Sequence, residues 1–280
     1  LPPKVYYRLC PELRNEGRTQ AGTPVYVQLL GSDPELMAAN ARVAAQLGAP
    51  GIDLNFGCPA KTVNKSRGGA TLLRTPAVIY DVCKAVRDAT PPDIPVTAKV
   101  RLGFDDDGQF EDITHNAFAS GITELTVHAR TKVQAYRPPA HWSTLRSIHN
   151  SRGIPVIANG EIWTPSDLLQ CRKVSGCNAF MLARGAVCRP DLARAILAHD
   201  QGQRVDPMTW EEITELLVHF FDANSALYER KFAINPVKQW LVYLQHAYPQ
   251  AAALFAQIKR IRDPDPMRAA LIGANQSVAA

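Results

Sequence analysis

No stretch of this 280-residue chain approaches the roughly 18 consecutive apolar residues that a transmembrane helix needs. Its first residues, LPPKVYYRLC, lack the long apolar core of a secretory signal peptide. Six cysteines are present, but the sequence has no CxxC pair and no Cys/His metal spacing. We therefore expect free thiols in a reducing cytoplasm, no membrane association and no bound metal.

Two common nucleotide-binding motifs are also missing from the sequence. No GxGxxG motif follows a predicted strand, and no P-loop is present. Internal repeats and low-complexity segments are absent as well. With 46% hydrophobic residues and a net charge of +5, the chain can build one large core and is compatible with a polyanionic partner.

Short apolar runs alternate with helical patterns along most of the chain. Helical spacing is found over 34–48, 75–89, 113–120 and 165–175, and the last two segments end at glycines 121 and 176, as helix C-termini often do. Alternating strands and helices favour a parallel sheet. The predicted strands are Val5–Leu9, Val25–Leu30, Ile52–Asn55, Val96–Val100, Glu124–His128, Val156–Asn159 and Ala179–Leu182.

Polar residues stand at the C-terminal end of most of these strands. An open doubly wound sheet would gather its ligands at one switch point. A site supplied by every strand end is instead typical of a (β/α)8 barrel. Seven strands are predicted and a barrel needs eight, so we expect that one βα unit of roughly 30–40 residues is missing before the chain's first residue. The strand-end residues are Gln28, Asn55, Lys99, His128, Asn159 and Arg184.

The pattern changes near Arg204, where amphipathic helices follow one another without strands between them. We predict two domains, a barrel over 1–203 and an all-helical domain over 204–280. Large apolar side chains that suit the core of the helical domain are Trp210, Phe220, Phe221, Trp240 and Phe255.

Two segments suit a phosphate site. Barrels often bind phosphate in the loops after strands 7 and 8, which correspond here to NGE (159–161) and ARG (183–185). Gly160 and Gly185 would let backbone N–H groups approach an anion, and Arg184 offers a guanidinium fork. Each segment alone could equally be a tight turn or a surface cation.

Gln28 and Lys99 would face the same cavity. An amide can donate to and accept from the pyrimidine edge of a flavin, and a lysine beside that ring would stabilise the negative charge of its reduced form. Lys99 could alternatively form a salt bridge at the barrel rim or a Schiff base with a carbonyl substrate.

The segment DLNFGCPAKTVNKSRGGATLL resembles the signature of the tRNA-dihydrouridine synthases. Further segments follow in the order of that family: VQLLG, AKVRLG, VHARTKVQAY, PVIANGEI and MLARGA. The segments CPEL and VKQWLVYLQ look most like its bacterial C-type class, and the resemblance covers nearly the whole chain.

The resemblance implies an FMN-bound (β/α)8 barrel, followed by a helical domain that grips tRNA. The family reduces the C5=C6 bond of a uridine with NADPH as reductant. Cys58 would be the general acid that protonates C5, because a thiol is mostly protonated at neutral pH. The implied cofactor contacts are Gln28, Lys99 and His128 at the ring, and Asn159, Gly160, Glu161, Ala183 and Arg184 at the ribityl chain and phosphate.

The resemblance also implies substrate contacts. Asn55 and Arg101 would face a flipped uridine, since asparagine can both donate to and accept from a uracil edge. Tyr136 would contact the RNA, whereas a packed loop tyrosine is the alternative. On the helical domain, Lys238, Tyr243 and Lys259 match RNA-facing positions, and Arg260 and Arg262 extend the same basic patch.

Two departures from the family pattern bear on these implications. The N-terminal flavin segment is absent, so we expect weak FMN binding by this chain. Pro236 stands where the C-type class tends to have a cation, although the class implies the D-loop uridine U16.

The alternatives are an FMN oxidoreductase for a small enone or dihydroorotate-like substrate, and a tRNA-binding protein without turnover. We expect a monomer.

Overall fold

A computed structural model describes residues 1–148 and 153–276 of the chain. Residues 277–280 of the predicted helical domain lie outside the described residues. Within the described ranges, no helix is both long enough and apolar enough to cross a bilayer.

Six strands form one parallel sheet in which each strand pairs with the next along the sequence. A doubly wound sheet reverses its strand order at a switch point, whereas a barrel wall adds its strands consecutively. The α/β fold of the barrel type is therefore confirmed, with six strands in the described residues. They are β1 (Val27–Leu29), β2 (Ile52–Asn55), β3 (Val96–Arg101), β4 (Glu124–His128), β5 (Val156–Asn159) and β6 (Ala179–Met181).

The first predicted strand is wrong, because Val5–Leu9 belongs to a helix. Pro3 occupies the first turn of this helix, where its fixed φ angle and missing N–H suit a helix start. Tyr6 is buried, and its hydroxyl donates a hydrogen bond of 2.6 Å to Oδ1 of Asn40. Aromatic and β-branched residues suggested a strand here, but packing of the tyrosine decides the conformation.

The helices begin and end at residues that suit these positions. Asp33 caps the second helix by accepting a hydrogen bond from Leu36 N, and Gly121 and Gly176 follow their helices with φ of 87° and 79°. In the described residues up to 203, the α-helices are α1 (Pro3–Leu9), α2 (Pro34–Gln46), α3 (Lys61–Lys65), α4 (Pro76–Ala89), α5 (Phe110–Ala119), α6 (Pro165–Ser175), α7 (Arg184–Cys188) and α8 (Leu192–Asp200).

Four further helices follow, without a strand among the described residues after 204, as predicted. Their buried residues form one apolar cluster that includes Trp210 and Phe221. Trp240 and Phe255 pack at its margin, and Phe220 meets Trp240 edge-on at 5.1 Å between ring centroids. The helices are α9 (Trp210–Leu227), α10 (Asn235–Leu244), α11 (Pro249–Ile258) and α12 (Pro264–Gln276).

The chain divides into two compact units. The first contains Leu1–Glu161 and Leu169–Met181, and the second contains Ile162–Leu168 and Leu182–Ala280. The sheet belongs to the first unit, and α7 to α12 belong to the second. The functional division at 203/204 stays a prediction.

Candidate active site

One face of the sheet carries polar side chains in register, and the other is apolar. Residues two apart on a strand share a face, as do register partners on adjacent strands. Val27, Leu54 and Val100 lie on the apolar face and are buried. The polar face carries Gln28, Asp53 and Thr97 in one row, Asn55 and Lys99 in the next, and Arg101, His128 and Asn159 in a third.

Cys58 lies in the loop that follows β2, next to this polar face. It is a half-buried free thiol, whereas Cys83, Cys171, Cys177 and Cys188 are buried. The loop is held through the backbone, since the carbonyl of Cys58 accepts hydrogen bonds of 3.0 Å from both Ala70 N and Asn64 Nδ2. The thiol is therefore accessible while its backbone is fixed.

Gly69, from the glycine pair of the predicted signature, lies against this loop. Its φ angle is +60°, and a Cβ atom placed on it would lie 2.8 Å from the carbonyl oxygen of Cys58. Only glycine adopts this conformation freely and allows the chain to pass so close. The glycine therefore shapes the loop that presents the thiol.

Arg101 is buried, with 2% of its surface exposed, and holds two loops together. Its Nε donates 2.8 Å to the carbonyl of Gly57, beside the thiol. One terminal nitrogen donates 3.1 Å to each of the carbonyls of Thr131 and Ala135. Burial lowers the pKa of Arg101. The predicted contact of Arg101 with a uridine stays a prediction, whereas these backbone contacts are direct.

Tyr136, the predicted RNA contact, follows directly in this second loop. Half of its surface is exposed, and the Arg101 guanidinium carbon lies 5.6 Å from its ring centroid. Its ring also lies 6.0 Å from that of His128. An exposed aromatic ring at the edge of the polar face can stack on a base.

Lys99 is held by Asn159, two strands away. The ammonium group donates a hydrogen bond of 2.7 Å to Asn159 Oδ1, and Asn159 Nδ2 donates 2.8 Å to the carbonyl of Met181. Burial, and to a smaller extent the Arg101 cation, lower the pKa of Lys99 to about 8, against the attraction of Asp53. With a pKa of about 8, a fraction of Lys99 is deprotonated at physiological pH.

His128 lies beside a buried ion pair. The side chain of Arg130 is fully buried and contacts Glu161 Oε1 at 2.8 Å. Its other terminal nitrogen lies 3.4 Å from His128 Nε2. The imidazole therefore packs beside a guanidinium whose charge is balanced by the Glu161 carboxylate.

The predicted phosphate segment NGE has an unusual backbone. Gly160 has φ of +118°, and a Cβ atom there would lie 3.0 Å from His128 Cδ2. Glu161 has φ of +56°, which is uncommon for a residue with a side chain, and its carboxylate is paired with Arg130. The carbonyl of Gly160 accepts a hydrogen bond of 2.8 Å from Trp142 Nε1.

Ala183 and Arg184 belong to the second compact unit. Ala183 precedes the short helix α7, and Arg184 is its first residue. The guanidinium carbon of Arg184 lies 5.1 Å from the ring centroid of Trp163, in a cation–π contact. The predicted grouping of these two residues with Asn159, Gly160 and Glu161 around one phosphate stays a prediction.

The second unit contains a basic cavity of about 680 Å³, here called the basic pocket. Lys238 donates hydrogen bonds to the carbonyls of Lys259 and Ile261, at 3.1 and 2.5 Å, and burial lowers its pKa. The Lys259 side chain is exposed, and Tyr243 is 40% exposed on the same helix as Lys238. Five cations line the pocket, with two further residues: Lys231, Lys238, Lys259, Arg260, Arg262, Ile234 and Asn235.

Sequence reasoning missed Asp53 and Arg130. Asp53 accepts hydrogen bonds from Gln28 Nε2 at 2.7 Å and from Thr97 Oγ1 at 2.8 Å. A signal for it was present, because a carboxylate at the second position of an otherwise apolar strand requires partners. Arg130 follows the strand-end histidine by two residues, and its burial could not be read from a loop sequence.

The described part of the chain contains no cluster of possible metal ligands. No three His, Cys, Asp or Glu side chains there are grouped so that they could hold an ion. The polar face carries three amides, an ammonium, a guanidinium and an imidazole, and the Cys58 thiol lies beside it.

Comparison with known proteins gives a consistent result. The model of the family described as dihydrouridine synthase (Dus) matches residues 1–277. A tRNA-dihydrouridine(16) synthase of Aquipseudomonas alcaligenes is 48% identical over 263 residues, which cover 94% of this chain and 84% of that protein.

Two further relatives carry the same description. The tRNA-dihydrouridine(16) synthase of Pseudomonas putida is 50% identical over 264 residues, covering 94% of this chain and 81% of that protein. That of Vibrio cholerae is 45% identical over 268 residues, covering 95% and 81%. The resemblance to the C-type class is thereby confirmed. The chain belongs to the dihydrouridine synthase family, an enzyme family of flavin-dependent oxidoreductases.

Proposed function

We propose that this chain reduces the C5=C6 bond of uridine 16 in the D-loop of tRNA, with FMN as its cofactor and NADPH as its reductant. The observation that carries this proposal is the position of Cys58. A half-buried thiol on a fixed loop lies beside the polar face of a parallel sheet that also presents Lys99 and Asn55. Relatives of 42–50% identity named tRNA-dihydrouridine(16) synthases support the position of the uridine.

The polar face fits a flavin ring. Gln28 and Asn55 can each donate and accept at a pyrimidine edge, and Lys99 supplies a cation for the side of the ring that becomes negative. Because Gly160 has no side chain, His128 can pack directly against its backbone, where a Cβ atom would lie 3.0 Å from His128 Cδ2. Bound and reduced, FMN supplies the hydride that this reaction requires at C6.

Cys58 would donate the proton at C5. The donor must be neutral before the step, and free thiols in general are mostly protonated at neutral pH. The double bond would be reduced by hydride at C6 and a proton at C5. Cys58 would remain as a thiolate, which takes a proton back from solvent. The exposure of the loop would allow this return.

The remaining ligand contacts follow from the positions described above. Asn55 and Arg101 would contact the flipped uridine, and Tyr136 would contact the RNA. Asn159, Gly160 and Glu161 with Ala183 and Arg184 would hold the ribityl chain and phosphate of FMN. His128, beside Arg130, would contact the flavin ring.

tRNA would be bound through phosphate neutralisation. The basic pocket presents five cations, including Lys259, that can neutralise phosphates. Lys238, Tyr243 and Lys259 would contact the RNA on the helical domain over 204–280. We infer a cytoplasmic location, since tRNA, FMN and NADPH are available in that compartment. We also propose that the protein is a monomer.

Mapping of dihydrouridine by mass spectrometry tests this function. tRNA from cells that lack the gene should have no dihydrouridine at position 16, and expression of the full-length protein should restore it. Expression of the Cys58→Ala variant should not. Full modification of position 16 without the gene would contradict the proposal.

The dependence on tRNA separates this function from the alternative, a flavin enzyme for a small enone or dihydroorotate-like substrate. Oxidation of NADPH by the purified protein should accelerate when unmodified tRNA is added and should not respond to free uridine or to dihydroorotate-like molecules. The opposite pattern would favour the small-substrate enzyme.

A further inference from the structure

Asp53 ends a continuous chain of hydrogen bonds that begins at the Cys58 loop. The backbone N–H of Gly57 donates 2.9 Å to Asn55 Oδ1, and Asn55 Nδ2 donates 3.0 Å to Gln28 Oε1. Gln28 Nε2 then donates 2.7 Å to Asp53 Oδ2. The other carboxylate oxygen accepts 2.8 Å from Thr97 Oγ1. The chain therefore joins β1, β2 and β3 to the residue that precedes the thiol.

The donor-to-acceptor direction of this series of hydrogen bonds is fixed at both ends. A backbone N–H can only donate, and an ionised carboxylate can only accept. Between them, the Asn55 and Gln28 amides have one consistent orientation, with each oxygen towards Gly57 and each nitrogen towards Asp53. If either amide were reversed, two donors or two acceptors would face each other, at the cost of a hydrogen bond. Asp53 and Asn55 are half-buried, and Gln28 between them is exposed.

This orientation matters for ligand recognition. The pyrimidine edge of a flavin and the edge of uracil both present an N–H between two carbonyl oxygens. An amide pairs with such an edge only when its oxygen and its nitrogen face the right atoms. Gln28 and Asn55 are the two amides that we propose for these edges, so the group that orients them also determines what they can bind.

We propose that Asp53 is a positioning residue that orients the amide of Gln28, and with it that of Asn55, for binding of the flavin and uracil edges. This inference depends on the proposed function for the identity of the ligands. The hydrogen-bond chain itself does not, because it consists only of residues of this protein. Asp53 acts through acceptor atoms rather than through direct contact with the reacting atoms.

Substitutions at Asp53 separate hydrogen bonding from charge. In Asp53→Asn, the new Nδ2 can donate to the hydroxyl of Thr97, which accepts as well as donates, so Oδ1 still accepts from Gln28. We expect the affinity for FMN, used as the probe, to stay within about threefold of wild type. Asp53→Leu removes both acceptors at similar size, and we expect a loss of affinity of about tenfold, the equivalent of one hydrogen bond.

A charge exchange provides a readout that needs no cofactor. Gln28→Glu places two carboxylates against each other, and we expect its unfolding equilibrium constant in urea to rise about tenfold. In the double variant Gln28→Glu with Asp53→Asn, the amide introduced at position 53 donates to the carboxylate introduced at position 28, whose second oxygen accepts from Asn55. The donor-to-acceptor sequence is then restored, and the constant should return to within about threefold of wild type.

The outcomes are distinct. Rescue by the double variant, together with a tolerated Asp53→Asn and a damaging Asp53→Leu, supports the inference. Absence of rescue overturns it, as does an Asp53→Asn variant that is as damaging as Asp53→Leu, because charge would then be the relevant property. If the wild-type chain forms no dihydrouridine, the proposed function fails, whereas the unfolding measurements still decide whether Asp53 orients Gln28.

Discussion

The ammonium group of Lys99 donates a hydrogen bond of 2.7 Å to Oδ1 of Asn159, from β3 across β4 to β5. Asn159 in turn donates to the carbonyl of Met181 on β6, so its amide is oriented by the sheet itself. Lys99 is therefore held by a neutral acceptor rather than by a carboxylate. This partner leaves the ammonium only weakly stabilised in a partly buried position.

The lowered pKa of Lys99 predicts a specific dependence of stability on pH. Between pH 8 and 10.5, the folded protein holds a neutral amine while the unfolded chain holds an ammonium. The unfolded state then binds more protons, so the free energy of unfolding contributed by this group rises with pH across that window and is lost as pH falls through it. Lys99→Met should lack this rise.

Urea unfolding of the cofactor-free protein at pH 7 to 10 measures the difference between wild type and Lys99→Met. Other titrating groups cancel in this difference. Lys84→Met is the matched control, because Lys84 is exposed and paired with Asp88 on the surface of α4. Parallel stability curves for wild type and Lys99→Met would contradict the prediction.

Replacing Cys58 should stop the reaction without affecting binding. We expect Cys58→Ala to lower the rate of dihydrouridine formation by about 10²- to 10⁴-fold, the range for loss of a general acid, with an unchanged dissociation constant for tRNA. Product formation is followed by mass spectrometry and binding by filter retention. Cys10→Ala, at the other half-buried thiol, is the control and should keep full activity.

Replacing Arg101 should destabilise the protein. Arg101→Met leaves the carbonyls of Gly57, Thr131 and Ala135 without their donor, and we expect the free energy of unfolding to fall by about 3 kcal/mol or more. Arg101→Lys should recover only part of the loss, because an ammonium lacks the planar fork.

Arg74→Met is the control for this effect. Arg74 is exposed and pairs with Asp105 at the surface, so its loss should cost less than about 1 kcal/mol. Urea unfolding compares the three variants. Equal stabilities for Arg101→Met and Arg74→Met would mean that the buried guanidinium does not hold the loops.

Two lysines of the basic pocket should behave differently. Lys259→Ala should weaken tRNA binding and reduce the slope of log affinity against log salt by about one, without a change in stability. Lys238→Met should also lower stability, because its ammonium donates to two backbone carbonyls. Salt titrations and urea unfolding distinguish the effects, and an unchanged salt slope for Lys259→Ala would remove this residue from the interface.

Much of the fold could be predicted, because it depends on local apolar patterns. Strands β2, β4 and β5 have the predicted bounds, since each is a short apolar run with polar residues after it. The segment 5–9 has a similar composition but forms a helix. No strand pairs with it in the described residues, and the burial of Tyr6 against α2 decides its conformation.

The candidate site could be predicted in its residues but not in its contacts. Strand-end positions identified Lys99 and Asn159 separately, whereas their hydrogen bond joins residues 60 positions apart. The three carbonyls that Arg101 contacts lie 30 to 44 positions away, so a sequence cannot show that its guanidinium is already occupied. Asp53 was overlooked because it lies within its strand and not at the end.

The guanidinium of Arg101 has a mechanical consequence. Its donors belong to one rigid plane, so the carbonyls of Gly57 and Ala135 cannot shift independently without breaking a bond. The segment that carries Cys58 and the segment that carries Tyr136 are thus both bound to one guanidinium group. A displacement of either segment is therefore resisted by the hydrogen bonds that Arg101 makes to the other.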